Sequence, residues 1–398
     1  MRFSGFTDEW NEVTLNDVAT FSKGKGISKN DISNYGIECV RYGELYTKYN
    51  EMIYNIESKT DLNKNELKLS EKNDILMPCS GETAIDLATA SCIQKDQVAI
   101  GGDITVIKTN QYAPFITYYL NQKKTEIAKY AQGVSIVHLY PKDFKVMNIR
   151  IPSINEQKMI IGLLEEITKK EQLLESKYQQ YQEYKKYLMQ QIFTQKLRFD
   201  DNCQYKTKQV KDFLIESKIE GIDDINKRLT VKLNLKGITV RESKTIEIEG
   251  ATKQFIRKTG QFIYGKQNLH KGAFGIIPKE LDGYLTSSDI PSFDFKGGIE
   301  PKWFYYYFAR KLFYEKLENL STGTGSKRIS PKEFLNIKII VPEFKEQHKI
   351  VCLLEKFDEK INGISNQIVQ MNMFKKSLLQ QMFVVQLILS LLQNKKHI

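Results

Sequence analysis

The sequence predicts an α+β fold. It reads as two similar mixed α/β domains separated by two long helices that form an antiparallel coiled-coil spacer, with an internal pseudo-twofold repeat. Three observations carry this. First, the last third of each half recurs without a gap at an offset of 190: Pro141-Lys142-Asp143-Phe144 returns as Pro331-Lys332-Glu333-Phe334, and 19 of the 53 pairs from Pro141 to Phe193 are identical. Second, both repeats place apolar residues at alternating steps of four and three over more than four heptads, the mark of a paired helix seam. Third, the segments ahead of the repeats are β-rich and differ far more from each other. A shared frame carrying two unlike modules suits a protein that reads two different things at a fixed separation.

Taken in order, the first opening shows strand signals at Ile37–Tyr42, Asp74–Met77, Gln97–Ile100 and Ile104–Lys108, bounded by Gly and Asn. A Tyr-rich helix follows at Pro114–Leu120, with proline at an early position where its missing N–H costs nothing. The second opening shows strands at Leu229–Leu233, Thr245–Ile248, Phe255–Arg257, Gln261–Tyr264 and Phe274–Ile277, then a matching helix at Pro301–Tyr307. Asp74-Ile75-Leu76-Met77 lies opposite Gln261-Phe262-Ile263-Tyr264 at offset 187, and Asp103-Ile104 opposite Asp289-Ile290 at 186. Drifting offsets mean loop insertions within one shared fold.

The first long helix carries the seam Ile160, Leu164, Ile167, Glu171, Leu174, Tyr178, Tyr181, Lys185, Leu188, Ile192. The second carries Ile350, Leu354, Phe357, Ile361, Ile364, Ile368, Met371, Lys375, Leu378, Met382. Lys185 and Lys375 occupy matching places, where a polar residue can fix register or can snorkel to the surface. Glu156 to Phe193 gives 38 residues, roughly 57 Å of helix, which on duplex DNA spans at most about 17 base pairs.

At 398 residues the chain predicts two or three domains, each able to bury a core. The net charge of +11 is uneven: residues 1–152 hold 18 basic and 19 acidic side chains, 153–199 hold 8 and 6, 200–342 hold 25 and 18, and 343–398 hold 8 and 5. A basic surplus draws polyanions, and here the first opening lacks it. Cys39, Cys79, Cys92, Cys203 and Cys352 are odd in number and form no C-x-x-C, so a reducing, cytoplasmic setting without disulfide frame or zinc site is expected. Met1 to Trp10 has no apolar core of a signal peptide, and the run Leu387–Leu392 is too short and interrupted to span a bilayer. No membrane association is expected.

Catalytic motifs are sparse. Gly260-Gln261-Phe262-Ile263-Tyr264-Gly265-Lys266-Gln267 nearly matches a phosphate loop, but Gln267 stands where a Mg²⁺-binding Ser or Thr belongs, and Gln261–Tyr264 reads as a strand. Asp289, Asp294 and Lys296 resemble a metal-dependent nuclease set, yet four residues and a proline separate the carboxylates. Phe21-Ser22-Lys23-Gly24-Lys25-Gly26 is not a methyltransferase cofactor loop, and no strong strand is expected before it. No (N/D/S)-P-P-(Y/F), H-E-x-x-H or G-x-S-x-G is present. No metal ligand set is expected.

What remains is binding chemistry. Polar, Gly-containing loops with Lys, Arg and aromatics suit phosphate contact and base reading. The candidates are Lys23, Lys25 and Lys29; Arg41 and Tyr42; Lys266, Gln267 and Asn268; and the loop Gly323–Arg328 with Lys327 and Arg328, opposite Gly133–His138 with His138. Any one of them alone reads better as solvated surface; the paired loops ahead of each long helix read as a binding surface when taken as a set.

These residues together resemble the DNA-specificity (S) subunits of type I restriction-modification systems. Arg2-Phe3-Ser4-Gly5-Phe6…Trp10 looks like the family's start, shadowed by Arg198-Phe199. Phe144…Ile149-x-x-Pro152…Glu156-Gln157-x-x-Ile160 and Phe334…Ile339-x-x-Pro342…Glu346-Gln347-x-x-Ile350 look like the approach to its helices. Lys185-Lys186…Leu188-Met189-Gln190-Gln191-Ile192-Phe193 and Lys375-Lys376…Leu378-Leu379-Gln380-Gln381-Met382-Phe383 look like their ends. The resemblance implies target-recognition domains at 1–152 and 198–342, a spacer helix at 153–197, and a second spacer helix with a tail at 343–398. It implies that each recognition domain reads half of a split double-stranded DNA site. It also implies docking of two methyltransferase subunits, which use S-adenosylmethionine, and of restriction subunits using ATP and Mg²⁺. The chain itself would supply no catalytic residue and bind no cofactor. One departure is the apolar tail after Phe383, where the first repeat continues Thr194-Gln195-Lys196-Leu197-Arg198. A self-contained nuclease built on Asp289, Asp294 and Lys296, or a two-headed scaffold that binds no nucleic acid, are the alternatives.

Overall fold

The computed structural model describes residues 2–133, 137–242, 250, 252–321 and 328–384. The expected strand Thr245–Ile248, Lys327 and the tail beyond Val384 lie outside them. The chain divides into two units, one of Met1–Leu174 with Gln367–Ile398 and one of Glu175–Asn366. The boundary falls inside each long helix.

The first unit holds a five-stranded sheet in the order Ala19–Lys23, Ile104–Thr109, Ile75–Pro78, Ser91–Ile93, Met52–Ile53. Only its last pair is parallel. Ile75 to Pro78 is buried at every position because side chains of opposite parity meet different partners. Ile75 and Met77 join a core with Ile107, Phe115 and Phe144, whereas Leu76 joins Val40, Ile104 and Val106 on the other face. That second face is covered by a further sheet ordered Ile32–Ser33, Ser58–Thr60, Ile37–Val40, Ala99–Ile100, Lys68–Leu69. The strand Ala19–Lys23 overlaps the start of Phe21–Gly26, ahead of which no strong strand is expected. It is an edge strand, paired only with Ile104–Thr109 and largely exposed, so it lacks the apolar pattern by which strands are recognised.

The second unit repeats the design in smaller form. Its four-stranded antiparallel sheet runs Leu214–Ser217, Ser292–Phe295, Phe262–Tyr264, Phe274–Ile276, the same chain order of strands as in the first unit. Phe262 and Tyr264 enter an aromatic core with Phe293, Phe304 and Phe334, while Ile263 faces Val231, Ala273 and Ile277. Phe262 meets Phe304 edge-on at 5.0 Å between ring centres and stacks on Phe334 at 5.5 Å. Each fully buried ring contributes about 1.5–3 kcal/mol.

The aromatic helices span Ala113–Gln122 and Pro301–Phe308, each with proline in the first turn. The repeated Glu-Gln pair ties them down. The Gln157 side chain accepts from the Tyr112 N–H at 3.0 Å and donates to the Pro152 carbonyl at 2.9 Å. Gln347 accepts from the Glu300 N–H at 2.8 Å and donates to the Pro342 carbonyl at 3.0 Å. Both glutamines are buried. Tyr119 and Tyr307 hydroxyls accept from the N–H groups of Arg150 and Ile340, at 3.1 and 3.2 Å, in matching places. Buried Glu156 takes a bidentate contact from Arg2, at 2.8 and 2.9 Å, while Glu346 takes the Phe199 N–H at 2.7 Å.

The long helices run Ile154–Phe193 and Phe344–Leu379. Within each unit the two helix segments lie antiparallel. In the first unit Ile160, Leu164 and Ile167 share a core with Leu378 and Met382, and Lys375 reaches Glu171 at 2.8 Å. In the second unit Leu188 and Ile192 share a core with Ile350 and Leu354, and Lys185 reaches Asp358. Leu174, Tyr178, Phe357 and Ile368 are part-buried, and Ile364 is buried, so the whole expected seam faces inward. Both lysines bond across the seam, as a register-fixing residue does.

Candidate nucleic-acid interface

In each unit three chain segments meet at the end of one strand. In the first, the Cys79 N–H donates to the Asp103 carbonyl at 2.8 Å, and the Cys79 carbonyl accepts from the Leu139 N–H at 3.0 Å. In the second, the Lys266 N–H donates to the Asp289 carbonyl at 2.9 Å, and the Lys266 carbonyl accepts from the Ile329 N–H at 2.9 Å. The backbone is the same and the side chains differ. This junction collects the strand-end turn, the Asp loop and the segment entering the short Pro-Lys-Phe helix.

Around the first junction, Lys23 lies 3.6 Å from Asp103, both about half exposed (59% and 48%), a pairing worth little in solvent. The Gly24 and Lys25 N–H groups donate to the Ile104 and Ile100 carbonyls, each at 2.9 Å, which pins the loop and leaves Lys25 exposed. A side chain at Gly24 would overlap the Gly101 carbonyl. Lys29 opens an exposed 3-10 turn capped by Ser28. His138 contacts the Ser80 hydroxyl at 3.1 Å and stacks on Tyr140 with ring centres 5.8 Å apart, and Lys142 stands over the same tyrosine at 5.8 Å. Arg41 is half-buried and caps a helix: its N–H donates to Glu44 at 2.9 Å and its guanidinium lies 3.8 Å from that carboxylate. Tyr42 beside it is 39% exposed. Arg41 is thus committed locally, whereas Lys23, Lys25 and Tyr42 present themselves to solvent.

Around the second junction, Arg328 donates to Asp289 at 3.0 Å from a half-exposed position. Gln267 is exposed, and the Asn268 N–H donates to the Gly265 carbonyl at 3.0 Å in the turn. Lys266 opens onto a cavity of about 530 Å³ that Lys218, Lys332, Arg257, Glu216 and Ser217 also line. Arg257 is 1% exposed. Its guanidinium donates to the hydroxyls of Thr286 and Ser292 at 2.6 and 2.8 Å and to the carbonyls of Ser217 and Ile290 at 3.2 and 3.1 Å. Burial pushes it down to about 10, with Glu216 acting against that, so it stays charged at neutral pH.

Sequence reasoning missed Lys218, Arg257 and Lys332. The lysine repeated in both Pro-Lys-Phe elements was the available signal for Lys332; nothing local marks the other two. The near-miss motifs have structural roles. Phe262–Tyr264 is a buried strand, not a phosphate cradle. Asp289 holds Arg328, Asp294 accepts from Gln261 at 2.8 Å, and Lys296 donates to the Lys211 carbonyl at 2.7 Å. Among the described residues no three His, Cys, Asp or Glu side chains gather to hold a metal ion, and no helix is long and apolar enough to cross a membrane.

The family model for the type I restriction modification DNA specificity domain matches residues 7–183 and again 204–371. The type I restriction enzyme MjaVIII specificity subunit of Methanocaldococcus jannaschii is 35% identical over 79 residues, which is 20% of this chain and 19% of that protein's own length. The fold resembles the S subunit of a type I restriction-modification system from M. genitalium, with TM-score 0.61 at 14% identity over 96% of this chain and 97% of that one. It also resembles a chain from a type I R-M system solved for its complex assembly and conformational transition, with TM-score 0.55 at 13% identity over 95% and 98%. With two matches that together cover most of its length and coincide with its internal repeat, the chain belongs to the type I restriction modification DNA specificity family.

Proposed function

We propose that the chain reads a two-part DNA site, one half with each unit. The observation that carries this is the junction built twice on one backbone with different side chains: Lys23, His138 and Tyr140 around the first, Lys266, Gln267 and Arg328 around the second. Identical frames bearing different donors and acceptors give two different base preferences in a related geometry. Lys25 and Lys29 sit on exposed turns, Tyr42 opens the helix that Arg41 caps, and Asn268 lies part-buried in the turn that Lys266 begins. The long helices set the gap between half-sites and dock two methyltransferase subunits, with restriction subunits joining the assembly. On this reading S-adenosylmethionine, ATP and Mg²⁺ are used by those partners in the cytoplasm, and this chain adds recognition without chemistry of its own.

The test is co-expression with a type I methyltransferase subunit in a methylation-free host, followed by genome-wide mapping of modified adenines. A two-part motif with a fixed gap is expected. An assembled complex that leaves no new methylation overturns the reading in favour of a scaffold.

A further inference from the structure

The second unit carries more positive charge around its junction than its own carboxylates balance. Arg257 is buried with neutral hydrogen-bond acceptors, and the one carboxylate that acts on it, Glu216, does so from beyond hydrogen-bond distance. A buried charge without a counter-ion is costly and is ordinarily paired. Glu216, the carboxylate that lines the same cavity, is already bonded to Lys218 at 2.9 Å. Lys266 and Lys332 line the same space and add two further cations. Three lysines and a buried arginine against one carboxylate leave this wall with surplus positive charge, which suits a compact oxyanion.

We propose that this cavity seats one backbone phosphate of the DNA, held by Lys218, Lys266 and Lys332 over the fixed charge of Arg257. This rests on the DNA-reading function proposed above. The space opens where Lys266, the first residue of the Lys266-Gln267-Asn268 turn, leaves the strand. A phosphate seated there places the neighbouring bases against Gln267 and Arg328. The site therefore positions the second half-site and does not read it.

The test measures duplex binding by the assembled complex of this chain with its methyltransferase subunit, for the native chain and for the triple variant Lys218→Ala, Lys266→Ala, Lys332→Ala, across a series of salt concentrations. Thermal denaturation first establishes that the variant, altered at solvent-accessible side chains, is folded. The expected result is a fall of about one in the slope of log affinity against log salt. Cognate and unrelated duplexes should weaken by the same factor. Replacing single phosphates of the second half-site by uncharged methylphosphonate should then weaken the native complex at one position and leave the variant unaffected there. Competition by inorganic phosphate or a free nucleotide at millimolar concentration, without any methylphosphonate effect, overturns the DNA assignment in favour of a small anion. An unchanged slope in a complex that still recognises its two-part site overturns the cavity alone. Weakening confined to the cognate duplex also overturns it, since that is base reading. A native complex that binds no DNA removes both proposals together.

Discussion

Gln157 and Gln347 show how a single side chain anchors an element. Each is buried with its amide satisfied on both sides, by the entry of an aromatic helix and by the proline carbonyl before its own helix. Truncation strands those partners. Gln347→Ala is expected to cost about 1–3 kcal/mol, read as a lower melting temperature, while Gln381→Ala on the exposed face leaves it unchanged. Gly24 offers a second contrast. A Cβ there would strike the Gly101 carbonyl, whereas one at Gly26 meets nothing within 4 Å. Gly24→Ala is expected to lose about 1–3 kcal/mol and weaken DNA binding through the Lys23–Lys25 loop, with Gly26→Ala near native in both assays. Lys23 and Lys25 were legible as candidates because Gly and Lys alternate in the sequence. The pinning of their backbone to Ile100 and Ile104 was not, since it joins residues far apart in the chain.

At the scale of elements, the matching lysines find different acceptors. Lys375 meets Glu171, whose counterpart in the other repeat is Ile361. Lys185 meets Asp358, whose counterpart is Thr168. Asp358 also accepts from the Tyr306 hydroxyl at 2.5 Å, and Lys185 stands 4.9 Å over that ring. Burial, then the Asp358 carboxylate, pushes the Tyr306 phenol up, so it remains a donor. The Lys375–Glu171 pair is largely buried, with side chains 19% and 14% exposed. Replacing it with Lys375→Met plus Glu171→Ile is expected to be neutral or stabilising by about 1–4 kcal/mol, whereas Lys375→Met alone destabilises by leaving a carboxylate unpaired. Chemical denaturation of the two variants checks this. The seam itself was legible because a period near 3.5 persists for ten positions, and the aromatic helices because proline marks their starts. The edge strand Ala19–Lys23 was not, because one bonded neighbour and open solvent leave its composition unconstrained. The cavity was invisible for another reason: Lys218, Arg257, Lys266 and Lys332 come from four separate segments, and only the tertiary fold brings them to one place.

At the scale of the molecule, the helices are the adjustable part. One heptad added to the first long helix between Gln172 and Gln182, matched by a heptad in the second, adds about 10 Å. The gap in the methylated motif is expected to grow by about three base pairs of duplex with both half-sites unchanged; adenine mapping reads the outcome, and an unaltered gap in an active complex rules out a ruler. The division into units has a different consequence, for the order in which the protein is made. The second unit is one unbroken stretch, Glu175–Asn366, whereas the first needs Gln367 onward, including Phe383 packed 5.4 Å from Phe115. At about 5–20 residues per second, the ribosome emits the last residue of the opening segment roughly 10–40 s before the helix that completes its core. The half synthesised first is thus the half that finishes folding last, and a released chain ending at Asn366 should carry a protease-resistant second unit behind a sensitive first one.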